Sequence, residues 1–419
     1  MIQKPKGTYD MYGEMVEKYN YLKRIFADLM NEYNIKYIDT PIIESSSLFH
    51  RGVGETTDIV TKETYDFKDR GDRDITLRPE GTAGIVRSVI ENKLYTTLPL
   101  KLWYEGPMFR YERPQSGRHR QFRQAGVEIL GDPTPLMDAN VISIMVKFYE
   151  RIGLKGIKVR INSIGNKASR EKYREVLLEH FKPYLDDLCD DCKVRYEKNP
   201  LRLLDCKEDS DKECMANAPK IIDYLDEESK KHFDSVLRYL DLMEIKYVVD
   251  DKLVRGLDYY TDTVFEVEAD IEGFGSQNVI GAGGRYNNLV ENMDGPSVPA
   301  VGFAFGIERI INALDAEDVK VLSDNSLDCY VIPVTENELE NAVMLVNSLR
   351  DNAFSVDMDY TNKKMPAKFK EADRYNAKFI VIIGEDEVKN NKLTIKDNLT
   401  KEETKIERDN LIDYLDVNI

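Results

Sequence analysis

Between residues 15 and 33 the apolar positions fall at Val16, Tyr19, Leu22, Phe26, Leu29 and Tyr33. Steps of three and four residues of this kind predict an amphipathic helix. The helix leads into Tyr37-Ile-Asp-Thr-Pro41-Ile-Ile, a short extended segment whose proline suits an edge or interface strand better than a central one. From 75 to 131 the pattern is mostly strand and turn. Two runs, 100–111 and 121–130, flank a polar, arginine-rich stretch, as the arms of an antiparallel hairpin flank a long tip. Alternation along the second run places Ala125, Val127 and Ile129 on one face and Gln124, Gly126 and Glu128 on the other.

Residues 138–152 carry a helical pattern. Between about 168 and 247 the periodicity is helical and heavily charged, and four of the five cysteines fall there. Strand and glycine signals return from 254 to 306. The stretch 315–326 (DAEDVKVLSDNS) is polar and acidic and reads as a linker. Beyond it, apolar runs at 329–333, 354–358 and 379–383 alternate with helical patterns at 336–350 and 366–376. That β–α–β–α–β order predicts a small separate α/β domain with a mainly parallel sheet. The expected division is therefore 1–325, with a helical insertion at about 168–247, and 326–419.

Composition narrows the classes. With 419 residues, 42% apolar and 10% aromatic, the chain is long and apolar enough for a well-buried core. A formal net charge of −17 excludes binding to nucleic acid through bulk positive charge, so any such contact must rest on local basic patches. MIQKPKGTYD has no apolar signal core, and no run approaches the length of a membrane span. An odd number of cysteines without a secretory signal argues against a disulfide scaffold. The expectation is a cytoplasmic protein with no membrane contact.

Against that acidic background, five arginines stand between 110 and 123: Arg110, Arg113, Arg118, Arg120 and Arg123. Guanidinium groups pair bidentately with phosphate oxygens, so the tip suits a nucleoside triphosphate or an RNA end; a solvated basic loop is the alternative. The Gln124, Gly126, Glu128 face suits a small polar ligand, or plain solvent. Thr76-Leu-Arg-Pro-Glu80-Gly81-Thr82 places a carboxylate and a hydroxyl on either side of a glycine, in a turn before a helix. Gly281-Ala-Gly-Gly-Arg285-Tyr286 is glycine-rich but lacks the ending of a P-loop and the third glycine of a dinucleotide fingerprint. Val301-Gly-Phe-Ala-Phe-Gly306-Ile-Glu-Arg309 runs from strand into helix with an arginine in the first turn.

Taken together these segments resemble the class II aminoacyl-tRNA synthetases. The first helix and the strand ending at Pro41 are similar to motif 1, the 110–128 hairpin to motif 2, and residues 302–309 to motif 3. Arg255-Gly-Leu-Asp-Tyr259-Tyr260-Thr, with Leu77-Arg-Pro-Glu80-Gly-Thr82 and Gly283-Gly-Arg-Tyr286, resembles the signature segments of the histidyl-tRNA synthetase family, and the similarity spans nearly the whole chain. The resemblance implies an α+β catalytic domain on a six-stranded antiparallel sheet, a helical insertion, a C-terminal α/β anticodon-binding domain, and a homodimer joined through motif 1. It implies formation of histidyl-adenylate from L-histidine and ATP, with Mg²⁺ on the triphosphate, followed by transfer to tRNA(His).

By the same resemblance Arg110 and Arg255 reach the α-phosphate and Arg309 the γ-phosphate. Glu80, Gly81, Thr82 and Gln124 surround the substrate's α-ammonium, while Glu128 and Tyr260, with Tyr259 beside them, hold the imidazole. Arg113, Gln115 and Arg120 fall near the 5′ end of tRNA(His). For the anticodon, the resemblance implies a contact somewhere in 326–419, where 13 Lys/Arg face 19 Asp/Glu. A basic patch at 363–378 containing Lys368 and Lys370 is the expected contact. The spacing of Cys189, Cys192, Cys206 and Cys214 admits either a structural zinc or reduced, partly buried thiols, and no metal site is assigned. Two rival readings exist: a histidine-binding regulatory subunit of ATP phosphoribosyltransferase, and another adenylating ligase on the same sheet. The full arginine set and the C-terminal domain favour the synthetase.

Overall fold

The alternation seen in the sequence becomes one large sheet. In the computed structural model, which describes residues 1–54, 57, 59–115, 117–271, 278–321, 326–361 and 363–419, the chain divides into two compact units, Met1–Val321 and Leu322–Ile419. Part of the expected linker, 322–325, lies outside the described residues.

The first unit is built on an eight-stranded sheet, not six. Six strands, Leu100–Phe109, Gln121–Leu130, Ala300–Gly306, Val279–Arg285, Thr261–Ala269 and Ile157–Ser163, pair antiparallel in that order. The two additional strands are the short edge pieces Lys36–Tyr37 and Tyr247–Val249, which pair parallel with the outermost antiparallel strands. The first overlaps the start of the segment expected as an edge strand, whereas Tyr247–Val249, at three residues, is too short to show a period of two and was not expected. Pro41 lies just beyond the first of them, where it removes no ladder hydrogen bond.

Helix Glu14–Glu32 buries Tyr19, Leu22, Phe26, Leu29 and Met30. Phe26 meets Trp103, Phe148 and Phe305 edge-on, with ring centroids 5.0–5.6 Å apart. Helix Pro135–Arg151 covers the same face of the sheet, packing with Val127, Ile129, Phe303 and Phe305. One face of the sheet is thus filled with hydrocarbon, and the Gln124 and Glu128 side chains point to the other. Between Ile157–Ser163 and Tyr247–Val249 the chain is helical, with Lys167–Phe181, Asp190–Lys198 and Glu227–Leu242 the longest pieces.

A buried polar cluster ties that sheet to its helix. Arg285, 1% exposed, donates to Oδ1 of Asp138, which is fully buried. Asp138 Oδ2 also accepts from Thr263 at 2.7 Å and lies 2.8 Å from His232 Nε2. Burial alone would raise the Asp138 carboxyl, but the Arg285 charge and the His232 contact hold it below the ordinary carboxylate range. His232, to which the sequence suggests no role, is therefore a structural residue.

The second unit carries a five-stranded sheet. Val356–Met358, Cys329–Pro333 and Phe379–Ile383 are parallel, but Lys392–Asp397 and Glu403–Glu407 add on antiparallel, so the sheet is mixed rather than mainly parallel. One expected contact residue is misplaced. Lys368 is fully buried in helix Met365–Arg374, where its ammonium donates to Pro333 O at 2.6 Å and pairs with the equally buried Asp359 at 3.1 Å. It is an internal strut and not part of an exposed patch. The patch is further reduced by pairing of Arg374 with Glu371 and of Lys378 with Asp328, both at 3.1 Å. Lys370 is exposed.

Candidate active site

The polar face of Gln121–Leu130 forms the floor of a cavity of about 530 Å³. Its depth comes from glycine at cross-strand positions. Gly302 pairs with Glu128 in the ladder, and a Cβ there would lie 2.0 Å from Glu128 Oε2 and 2.4 Å from Val127 O. Gly126 pairs with Tyr104, whose phenol reaches over the strand to Gln124 Oε1 at 3.2 Å. Any larger residue at these positions would fill the hollow.

Residues 80–82 form the wall beside this floor. Glu80 caps helix Thr82–Glu91, accepting from the backbone N–H of Thr82 and of Ala83, each at 2.8 Å. Gly81 N–H donates to Gln124 Oε1 at 3.1 Å. Its missing Cβ makes room for the Tyr104 ring, which would otherwise approach to 2.2 Å. Thr82 Oγ1 donates to Glu128 Oε1 at 2.7 Å, and the Tyr286 hydroxyl donates to Glu128 Oε2. Tyr259 lies between Tyr260 and Tyr286, with ring centroids 4.7 and 5.5 Å away.

The electrostatics of the cavity are divided. At one end burial pushes the Glu128 carboxyl up to about 8, although the hydroxyls of Tyr286 and Thr82 favour its ionised form. Glu80 is raised by burial as well, against the opposing effect of its backbone donors. Burial also raises the phenols of Tyr104, Tyr259 and Tyr286. This end is poised to accept positive charge and N–H donors.

At the other end are the arginines. Arg110 is held by Pro79 O at 2.9 Å and lies 5.3 Å over the Phe122 ring. Arg255 pairs with Glu266 and lies near Tyr260, so it joins the two ends. Arg309 donates to Val279 O at 2.8 Å, and burial, with Arg118 and Arg110 nearby, lowers its affinity for its proton. Like charges gathered without a full complement of acids form a site for a polyanion. Glu308, beside Arg309, is committed to the scaffold. It accepts from the Tyr9 hydroxyl and from Arg123 N–H at 2.7 Å, locking the helix start to the hairpin.

Residues expected from sequence thus meet in one hollow. Arg110, Arg255 and Arg309 line it, as do Glu80, Thr82, Gln124, Glu128, Tyr259 and Tyr260, and Gly81 supports the wall. Arg113, Gln115 and Arg120 lie outside that lining, although Glu112, Arg118 and His119 of the same tip belong to it. Arg113 and Gln115 are exposed, whereas Arg120 lies 3.8 Å over the Tyr111 ring and donates to Glu112 O at 3.3 Å, bracing the tip. Sequence reasoning gave no role to Tyr104 or Tyr286. Tyr104 was findable, because it shares the parity of the residues paired with Gln124 and Glu128. Arg202, Asp205 and Lys207 also line the cavity, from a segment that reads only as charged helix.

A family model described as histidyl-tRNA synthetase matches residues 7–310, and one described as an anticodon-binding domain matches 328–418. The chain belongs to the histidyl-tRNA synthetase family. Its similarity to curated members is end to end. It is 49% identical to the histidine–tRNA ligase of Bacillus cytotoxicus and 48% identical to that of a Geobacillus species, each over 99% of this chain and 98% of the relative. The apo histidyl-tRNA synthetase of Staphylococcus aureus superposes with a TM-score of 0.86 at 42% identity, covering 99% of this chain and 100% of that one.

Proposed function

We propose that this chain ligates L-histidine to tRNA(His) in two steps at the cavity on the first unit. In the first, a histidine carboxylate oxygen bonds to the α-phosphorus of ATP as the bond to the β-phosphate oxygen breaks, giving histidyl-adenylate and pyrophosphate. In the second, a hydroxyl of the terminal ribose of the tRNA attacks the acyl carbon and AMP leaves. The substrate supplies its own nucleophile, so the protein's contribution is positioning and stabilisation of charge. The observation that carries this reading is the division of one cavity into an arginine end and an end built on Glu128, Glu80 and Tyr260.

In this reading Arg110 and Arg255 hold the α-phosphate through the transition state, and Arg309 grips the γ-phosphate. Glu80, Thr82 and Gln124 receive the α-ammonium, whose charge offsets the cost of ionising a buried carboxylate. Glu128 and Tyr260, backed by Tyr259, bond the two imidazole nitrogens. A pocket of this kind rejects apolar isosteres by about 10⁴-fold, because they leave its buried polar groups unpaired. Mg²⁺ travels with the triphosphate as part of the substrate. Glu112, Glu266 and Glu308 in the cavity are already engaged by Arg118, Arg255 and Tyr9.

Arg113 and Gln115 at the exposed tip suit the acceptor end of the tRNA, with Arg120 holding the tip in shape, and the second unit takes the anticodon, Lys370 among its exposed contacts. The 167–242 helices form the insertion. Dimerisation through motif 1 is supported by Tyr37, Ile42 and Ile43, which are 41–53% exposed beside the sheet edge. None of the five cysteines is in a disulfide, which suits the reducing cytoplasm. No helix among the described residues is long and apolar enough to cross a membrane. The match of 328–418 to an anticodon-binding model speaks against the regulatory-subunit alternative.

Charging of tRNA(His) by the purified chain with ATP and labelled histidine tests the proposal. We expect charging together with histidine-dependent ATP–pyrophosphate exchange, and loss of exchange in Glu128→Ala. A chain that binds histidine yet forms neither adenylate nor charged tRNA would overturn it.

A further inference from the structure

We infer that the helical segment of the first unit carries a structural zinc site formed by Cys189, Cys192, Cys206 and Asp209. The ligand atoms of these four residues lie within 4.8 Å of one another. Their spacing is Cys-x₂-Cys-x₁₃-Cys-x₂-Asp, two short turns each offering a pair of ligands, and Cys214 is outside the group.

Each turn already has the form of a metal knuckle. Cys192 N–H points at Cys189 Sγ at 3.4 Å, and Asp209 N–H points at Cys206 Sγ at the same distance. Such N–H···S contacts stabilise thiolates. Cys189 Sγ and Cys206 Sγ are 3.7 Å apart. This is far longer than a disulfide, and it matches the edge of about 3.8 Å that two thiolates span on a tetrahedral zinc with Zn–S near 2.3 Å. The turns are joined by Cys189 N–H donating to Asp209 Oδ2 at 3.0 Å.

Burial argues against an ordinary apolar core. Cys192 is fully buried, and Asp209, 1% exposed, sets a carboxylate beside three sulfur atoms, an arrangement that an apolar core does not use. Three soft thiolates and one oxygen in a closed set of four select zinc over calcium or magnesium. Binding releases the thiol protons, leaving a site of net charge −2. Lys212, with Nζ 2.7 Å from Asp209 Oδ1, offsets part of that charge. The site also reaches the catalytic cavity, because Cys206 sits between Asp205 and Lys207, both of which line it. The metal fixes that rim.

The test uses the full chain purified from zinc-replete cells. We expect about one zinc per chain by elemental analysis, a melting temperature lowered on the order of 5 °C or more by a strong chelator, and, after exchange into Co²⁺, tetrahedral thiolate–cobalt absorption. Cys192→Ser and the isosteric Asp209→Asn should lose or weaken the metal, and Cys214→Ser should keep it. Absence of stoichiometric metal with no cobalt–thiolate bands would overturn the inference. So would a Cys189–Cys206 disulfide in the native chain, or loss of metal in Cys214→Ser to the same extent as in Cys192→Ser. These readouts do not depend on aminoacylation, so they fail or hold separately from it.

Discussion

Tyr286 and Glu128 stand 158 residues apart in the chain and meet in a hydrogen bond at the floor of the cavity. The phenol donates to one carboxylate oxygen while Thr82 donates to the other. Both donors favour the ionised carboxylate, yet burial prevails and the group titrates near 8 instead of its ordinary 4.5. The site therefore stores an ionisation cost until a cationic or N–H-bearing ligand arrives.

That cost has a stability signature. Between pH 4.5 and about 8 the folded chain retains a proton on Glu128 that the unfolded chain has lost. Stability from this group is therefore present at low pH and lost as pH rises through that window. Glu128→Gln lacks the penalty. Thermal melts of the ligand-free protein should show the variant more stable than the parent by on the order of 2–4 kcal/mol near pH 8.5, with the difference shrinking toward about pH 5. Histidine-dependent exchange should be lost at every pH. Equal melts across the range would show that Glu128 is not held neutral in the folded chain.

Tyr286→Phe isolates the hydrogen bond without changing the packing against Tyr259. Glu128 Oε2 then loses its donor and becomes harder to ionise. A hydrogen bond to a charged group contributes about 1.5–3 kcal/mol, so KM for histidine should rise roughly tenfold to a hundredfold. KM for ATP should hold, because Tyr286 is at the opposite end from Arg309. Steady-state exchange kinetics with each substrate varied in turn separate the two.

How far the chain discloses its site depends on the range of the interactions. Side-chain parity along Gln121–Leu130 follows from local geometry, so Gln124, Gly126 and Glu128 could be placed on one face before any fold was known. The arginines stood out by contrast with an acidic chain. Tyr286 and Arg202 enter the site through chain reversals and helix packing that no local period encodes. The same limit explains Lys368: a lysine in a basic run looks like surface, and only its pairing with Asp359 across the second unit shows otherwise. The edge strand Tyr247–Val249 was missed for a different reason, being too short to display the period that would reveal it.

Gly302→Ala tests whether the hollow depends on an absent side chain. The added Cβ would lie 2.0 Å from Glu128 Oε2 and 2.4 Å from a backbone carbonyl. The carboxylate can turn aside but the paired strand cannot, so the variant should fold with a lowered melting temperature and lose histidine binding. Calorimetric titration with histidine measures the loss. Binding within threefold of the parent would mean that the strands part without closing the floor.

Lys368 and Lys370 are two positions apart and should behave oppositely. Lys368 and Asp359 are both fully buried, and Asp359 also accepts from Thr361 and Lys363 N–H, so removing the ammonium leaves a buried carboxylate short of its compensating charge. Breaking such a pair costs about 3–5 kcal/mol, so Lys368→Met should destabilise the second unit by that order. Burial alone would raise the Asp359 carboxyl, but the bond from Lys368 and the N–H and hydroxyl of Thr361 hold it below its ordinary range. This contribution is therefore present above pH 4 or so and is lost as pH falls through the depressed value. Lys370 is exposed, and Lys370→Glu should leave melting unchanged while raising KM for tRNA roughly threefold to tenfold, an increase that grows at low salt. Denaturant melts and charging kinetics on the two variants check both halves. A Lys368 variant with parental stability and weakened tRNA binding would return that lysine to the surface patch.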